Sequence, residues 1–170
     1  YEHPNGNLSN GAGPALFVGV TGQANNPLRR ALVQFDIAGS VPAGAHIVSA
    51  ELAIRTIQST FGGMLDVFGH RVAQAWGEGA SVASGAGGAG GPAQPGDATW
   101  IHTFTPGSTW TNAGGDFVSS PSLVINTPPF GLAVSTPTSA LISDVQSWLD
   151  NPGSNHGWLL KTSEALAYVT

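Results

Sequence analysis

The chain has no cysteine, which excludes disulfides and thiolate metal sites. Charge is scarce too. Only 9% of residues are charged, against about a quarter in a typical soluble domain. Five of them are basic, and the net charge is -5. Without a basic stripe, nucleic-acid binding has no electrostatic footing. No apolar run approaches the roughly 18 residues of a membrane span. The nucleophile motifs G-x-S-x-G and S-x-x-K are missing. His3, His46, His70, His102 and His156 show neither H-x-H nor H-E-x-x-H spacing, so a zinc site would need ligands gathered from distant strands.

What is present is turn chemistry and period-two patterning. Glycine (24) and proline (12) punctuate short apolar runs in a chain that is 41% apolar, a composition that points to an all-β protein. At 170 residues it is long enough for one domain, spanning 1–170, to bury roughly 70% of its unfolded surface. A short apolar run at Ala15–Val20 comes first. Alternation over 31–37, over 46–54 (Val48, Ala50, Leu52 and Ile54 on one face) and over 62–72 (Leu65 and Val67 inward) predicts three strands. Further strands are expected at 99–104, on both sides of Pro128–Pro129 and at 157–161, with a loop over 107–117. One helix is expected near 139–150, capped by Thr138 or Ser139, striped by Leu141, Val145 and Trp148, and stopped by Asn151-Pro152-Gly153. Strands at this spacing with one short helix predict an antiparallel β-sandwich, in jelly-roll form.

Gly85, Gly87 and Gly90 satisfy the G-x-G-x-x-G spacing of a dinucleotide loop. Pro92, Pro95 and Gly96 follow, and no helical pattern opens there, so the phosphate-binding context is missing. The stretch at about 77–98 reads as a long Gly-rich surface loop. Glu78, Asp97 and Asp116 lie in or beside the long loops. They could cap turns, converge as a glycosidase pair, or hold Ca²⁺ with backbone carbonyls. No other cofactor is indicated. Trp148 and Trp158 read as core. Trp76, Trp100 and Trp110 fall between glycine and polar residues around the loops, where a ring could stack on a sugar or pack beneath the loop. Trp110 is the one expected to be most exposed. Arg29, Arg30, Arg55 and Arg71 make up most of the positive charge and are the candidates for gripping an acidic sugar.

Three blocks in order, "RRALVQFDIAGSVPAGAHIVSAELAI", "WGEGAS…GDATWIHTF…WTNAGGDF" and "ISDVQSWLDNPGSNHGWLLK", resemble the DNRLRE domain family, also called disaggregatase-related. The resemblance implies a secreted β-sandwich of bacterial and archaeal surface proteins, found beside polysaccharide-degrading modules, with some relatives grouped as carbohydrate-binding modules. It supplies no catalytic set. Relatives usually have a strand leading into the position of Tyr1-Glu2 and further strands after Thr170, so both ends are expected to be clipped. The first residue is Tyr rather than Met, which gives the expectation of a processed or excised segment acting outside the cell or at its surface.

Three functions follow as expectations. The first is a non-catalytic extracellular module that binds polysaccharide. The second is a structural subunit of a filament or surface layer, assembled by strand donation between neighbouring copies. The third is a polysaccharide-degrading enzyme, which needs two of Glu78, Asp97 and Asp116 across a cleft.

Overall fold

The computed structural model describes residues 1–4, 6–21, 27–85 and 87–164. In chain order the elements are β1 (Leu8–Ser9), β2 (Gly19–Val20), β3 (Leu28–Arg29), β4 (Ala31–Val33), α1 (Ile37–Ser40), β5 (Ala53–Thr56) and β6 (Leu65–Arg71). They continue with β7 (Gly91–Pro92), β8 (Leu123–Thr127), β9 (Gly131–Val134), α2 (Ser139–Asp150), a 3₁₀ turn at Pro152–Ser154 and β10 (Trp158–Lys161). The pairs β1–β7, β2–β3, β5–β9, β6–β8 and β6–β10 are all antiparallel. The protein is of the all-β antiparallel sandwich class, as its period-two runs predict. It divides into two compact units: unit 1 takes Tyr1–Ala31, Val72–Phe117 and a segment starting at Glu164, and unit 2 takes Leu32–Arg71 and Val118–Ser163.

Unit 2 holds most of the regular structure. Strands β4, β10, β6 and β8 lie side by side in that order, and β5 and β9 form a separate ribbon. In β8, Leu123, Ile125 and Thr127 are buried while Val124 and Asn126 are exposed, the alternation that strand geometry imposes on a half-buried strand. Gly69 lies opposite Leu123 in β6, and a Cβ there would stand 2.7 Å from the Leu123 Cγ. Only glycine fits against that leucine. Helix α2 is capped by Thr138, whose hydroxyl accepts from the Leu141 N–H (3.0 Å) and donates to the Ser122 carbonyl (2.6 Å). Its buried stripe is Leu141, Asp144, Val145, Trp148 and Leu149. Trp148 and Trp158 meet with ring centroids 4.5 Å apart.

Unit 1 contains the short ribbons β1–β7 and β2–β3, with isolated bridges Val72–Phe117 and His102–Thr109. Much of its backbone is satisfied by side chains instead of ladders. Ser81 accepts from the Gly11 N–H (3.2 Å), and Asn10 accepts from the Ala83 N–H (2.8 Å). The Gly-rich stretch is bound down. Its Gly91–Pro92 pairs with Leu8–Ser9, and the Gly88 carbonyl accepts from Nε and Nη2 of Arg29 at 3.0 and 2.7 Å.

Several elements differ from the sequence-based expectation. The alternation over 31–37 stays a strand only to Val33, because the Asp36 carboxylate accepts from the Gly39 N–H (2.8 Å) and caps a single helical turn, α1. The run at Ala15–Val20 is strand only at Gly19–Val20. In the 46–54 run, pairing starts at Ala53, and Val48 is 81% exposed instead of buried. Segment 45–47 is bonded to a helix side chain where a neighbouring strand would otherwise pair with it. Gln146 accepts from the Ile47 N–H (2.8 Å) and donates to the Ala45 carbonyl (3.2 Å). Residues 99–104 form a turn around the Thr99 hydroxyl, which accepts from the N–H groups of Ile101 (3.2 Å) and His102 (2.9 Å). A local acceptor displaced the ladder there.

Candidate functional site

Two of the three loop tryptophans, Trp100 and Trp110, are packed inside. Trp110, expected to be exposed, is 5% accessible, and its indole N–H donates to the Thr99 carbonyl at 2.9 Å. Trp100 is buried too. The Tyr1 and His3 rings meet it edge-on at 5.9 and 4.9 Å, and the Arg30 guanidinium lies 4.6 Å over its ring. Neither offers an open face for a sugar. Trp76 is half-buried. A large ring beside many glycines fills the volume that missing side chains leave, which draws these indoles inward.

Three of the four candidate arginines are held in ion pairs. Arg29 is buried, with Glu2 at 2.7 Å, and burial lowers its pKa from the usual guanidinium value. Arg30 donates Nε and Nη2 to the two Glu164 oxygens at 2.7 and 2.8 Å. Its Nη1 donates to the Gly114 carbonyl at 2.7 Å. In unit 2, Arg71 pairs with Asp144 at 3.3 Å, and its Nη2 donates to the Ser147 hydroxyl at 3.1 Å. Arg55 alone of the four is exposed, with its guanidinium 5.6 Å over the Phe130 ring.

Among the described residues no three His, Asp or Glu side chains come together to hold a metal ion. Asp97 is fully buried, and its oxygens accept from the N–H groups of Gln94 (2.7 Å) and Ser81 (3.3 Å). Asp116 accepts from the Thr111 N–H (2.6 Å), from the backbone and side-chain amides of Asn112 (2.9 and 2.7 Å), and from Gln74. Partial burial works to raise the Asp116 pKa, but those donors together hold it below its ordinary value. Glu78 is exposed. Asp97 and Asp116 are turn caps, the plainest of the readings their positions allowed.

Two surfaces of unit 2 stand out among the described residues. One is a shallow groove of about 480 Å³ between segment 46–47 and helix α2. His46 and Ile47 form one wall; Ser139, Ile142, Ser143, Gln146, Ser147 and Asp150 form the other. The three serines recur every four residues, which places a hydroxyl about every 6 Å along one helix face. Gln146 fixes the two walls to each other, and it also donates to the Asp150 carboxylate at 3.0 Å. The groove therefore joins hydroxyls, an imidazole and a carboxylate with two isoleucine faces, a lining suited to a neutral, hydroxyl-rich ligand with an apolar side. The second surface is the outer face of the β5–β9 ribbon, where Phe130, Leu132 and Val134 are exposed beside Arg55.

Sequence reasoning brings none of these groove residues together as a binding surface; it meets His46 only as a possible zinc ligand and Ser139 only as a helix cap. Every-fourth serines on a solvent face were the available signal, and they look the same on any exposed helix. No family model, curated protein or solved structure matches this chain. Among the described residues no helix is long and apolar enough to cross a membrane.

Proposed function

We propose that this chain is a non-catalytic module that binds polysaccharide outside the cell, with the α2 groove as its binding surface. The observation that carries the reading is the groove lining: serine hydroxyls, His46 and Asp150 around Ile47 and Ile142, on a helix fixed to the core by Trp148 and Leu149. The likeness of the three sequence blocks to the DNRLRE family supports the same ligand class. Binding to a panel of neutral and acidic polysaccharides, by pull-down and calorimetry, tests it. The doubly substituted Asp150→Ala/His46→Ala protein should stay folded and bind several-fold more weakly. No binding to any polysaccharide, or equal binding by this variant, removes the proposal.

A second reading is a structural subunit of an extracellular filament or surface layer. The exposed apolar side chains of the β5–β9 ribbon favour it, since surfaces of that kind mark association sites.

A further inference from the structure

The outer face of the ribbon has a charge arrangement that selects one partner. Burial alternates strictly from Glu51 to Ile57: residues 51, 53, 55 and 57 are exposed, and 52, 54 and 56 turn inward. Pairing joins Ala53 to Val134 and Arg55 to Leu132. The ladder extends one step further, because the Ser135 N–H donates to the Leu52 carbonyl (2.9 Å) and the Leu52 N–H to the Ser135 hydroxyl (3.0 Å). The outer face is thus a patch centred on Leu132 and Val134, which are 62% and 47% exposed. Phe130, 67% exposed, and Ile57 lie at one end. It carries two charges, Glu51 and Arg55. Four residues of extended chain separate them by about 13 Å. Among the described residues Arg55 has no ion-pair partner, whereas Arg29, Arg30 and Arg71 each have one.

We infer that this face pairs with the same face of a second copy of the chain, about a two-fold axis near Ala53 and Val134, so that Arg55 of each meets the partner subunit's Glu51. A two-fold contact exchanges positions, so a cation and an anion set symmetrically about the axis satisfy each other twice. Facing sheets pack about 10 Å apart, a gap that arginine and glutamate side chains can bridge together. The charge of the patch sums to zero, so two copies can approach here although the chain as a whole is at -5. An acidic glycan would meet Glu51 unfavourably. Leu132 and Val134 give a neutral one no hydrogen bonds.

The inference rests on the self-association reading and is independent of the polysaccharide groove. Sedimentation velocity over the widest soluble concentration range tests it. Wild type should show a reversible monomer–dimer equilibrium. Glu51→Arg and Arg55→Glu should each weaken dimerisation by about tenfold or more, since each sets two like-charged pairs across the seam. The double variant, with the charges exchanged, should return to within about threefold of wild type. Leu132→Asp should abolish the dimer. A wild type that stays monomeric at every concentration overturns both the inference and the self-association reading. If wild type associates but the charge reversals leave it unchanged, this face is overturned while association through another surface stands. Loss of glycan binding in these ribbon variants, with no effect on assembly, would give the face to a glycan and overturn the inference.

Discussion

Replacing Asp144 with alanine should destabilise unit 2 by about 2–4 kcal/mol. Asp144 is buried on α2 and makes two contacts of unequal worth. Its Oδ2 accepts from the Trp158 indole N–H at 2.9 Å, in a fully buried setting. Its Oδ1 faces Arg71 at 3.3 Å, and the Arg71 side chain is 27% accessible. The first contact dominates. Losing the acceptor leaves a buried indole N–H unpaired, which costs about 1.5–3 kcal/mol when the acceptor was charged. The arginine can turn to water or to the Ser147 hydroxyl, so its share is below about 1 kcal/mol. The vacated volume beside Trp148 and Trp158 adds the rest.

Two further variants separate these contributions. Asp144→Asn keeps an oxygen for Trp158 and should cost about half as much as alanine. Arg71→Ala leaves the indole bond intact and should cost least, about 1 kcal/mol, partly through lost contact with the Trp148 ring. Urea unfolding followed by tryptophan fluorescence reads all three. With a slope of about 1–3 kcal/mol per molar for a chain of this size, the alanine variant's midpoint should fall by about 1–2 M at unchanged slope. An alanine variant within about 0.5 kcal/mol of wild type, or an asparagine variant as unstable as alanine, would refute the assignment of the indole bond as the main contribution.

Three other expectations follow from unit 1. Gly87 and Gly85 both have positive φ (81° and 62°), but a Cβ at Gly87 would stand 2.8 Å from the Phe17 ring while Gly85 faces open space. Gly87→Ala should therefore lower stability by about 2–3 kcal/mol and Gly85→Ala by about 1, compared by thermal unfolding. The carboxyl of Asp116 is held below its ordinary 3.8, so the stability it contributes is complete above that value and is lost as pH falls below it through the folded-state pKa. Acid titration of Asp116→Asn should show a shallower loss of stability in that range than wild type. Arg30→Lys should cost about 2 kcal/mol or more despite keeping the charge, because a lysine loses the two-pronged Glu164 contact and the stacking on Trp100; urea midpoints check it.

The sequence was most legible where one physical rule acted alone. Helix α2 was predicted within a residue, because Thr138, the Leu141-Val145-Trp148 stripe and Asn151-Pro152 agree. The pair of strands around Pro128–Pro129 and the final strand at Trp158 were equally clear. It failed where a side chain supplied the hydrogen bonds that a neighbouring strand would otherwise give. Gln146 does this for segment 45–47, Thr99 for the 99–104 turn and Asp36 for α1. Each acceptor is a common residue whose partner is set by the fold, so the apolar alternation around it continues past the point where the strand ends.

The inward tryptophans and arginines follow from the same scarcity that marks the composition. A chain rich in glycine has few bulky side chains, so its largest rings are needed to fill space, and Trp100 and Trp110 are drawn under the loops they were expected to decorate. A chain with little regular structure in unit 1 has many backbone carbonyls without ladder partners, and the guanidinium, with its five donors, is well equipped to satisfy them. Arg29 does so at Gly88 and Arg30 at Gly114. Cations spent this way cannot grip a ligand. Among the described residues Arg55 is the one exposed arginine, and the exposed anion on its own face, Glu51, lies about 13 Å along the strand. The two form no ion pair within the chain among the described residues, and the same spacing is what makes the face complementary to itself.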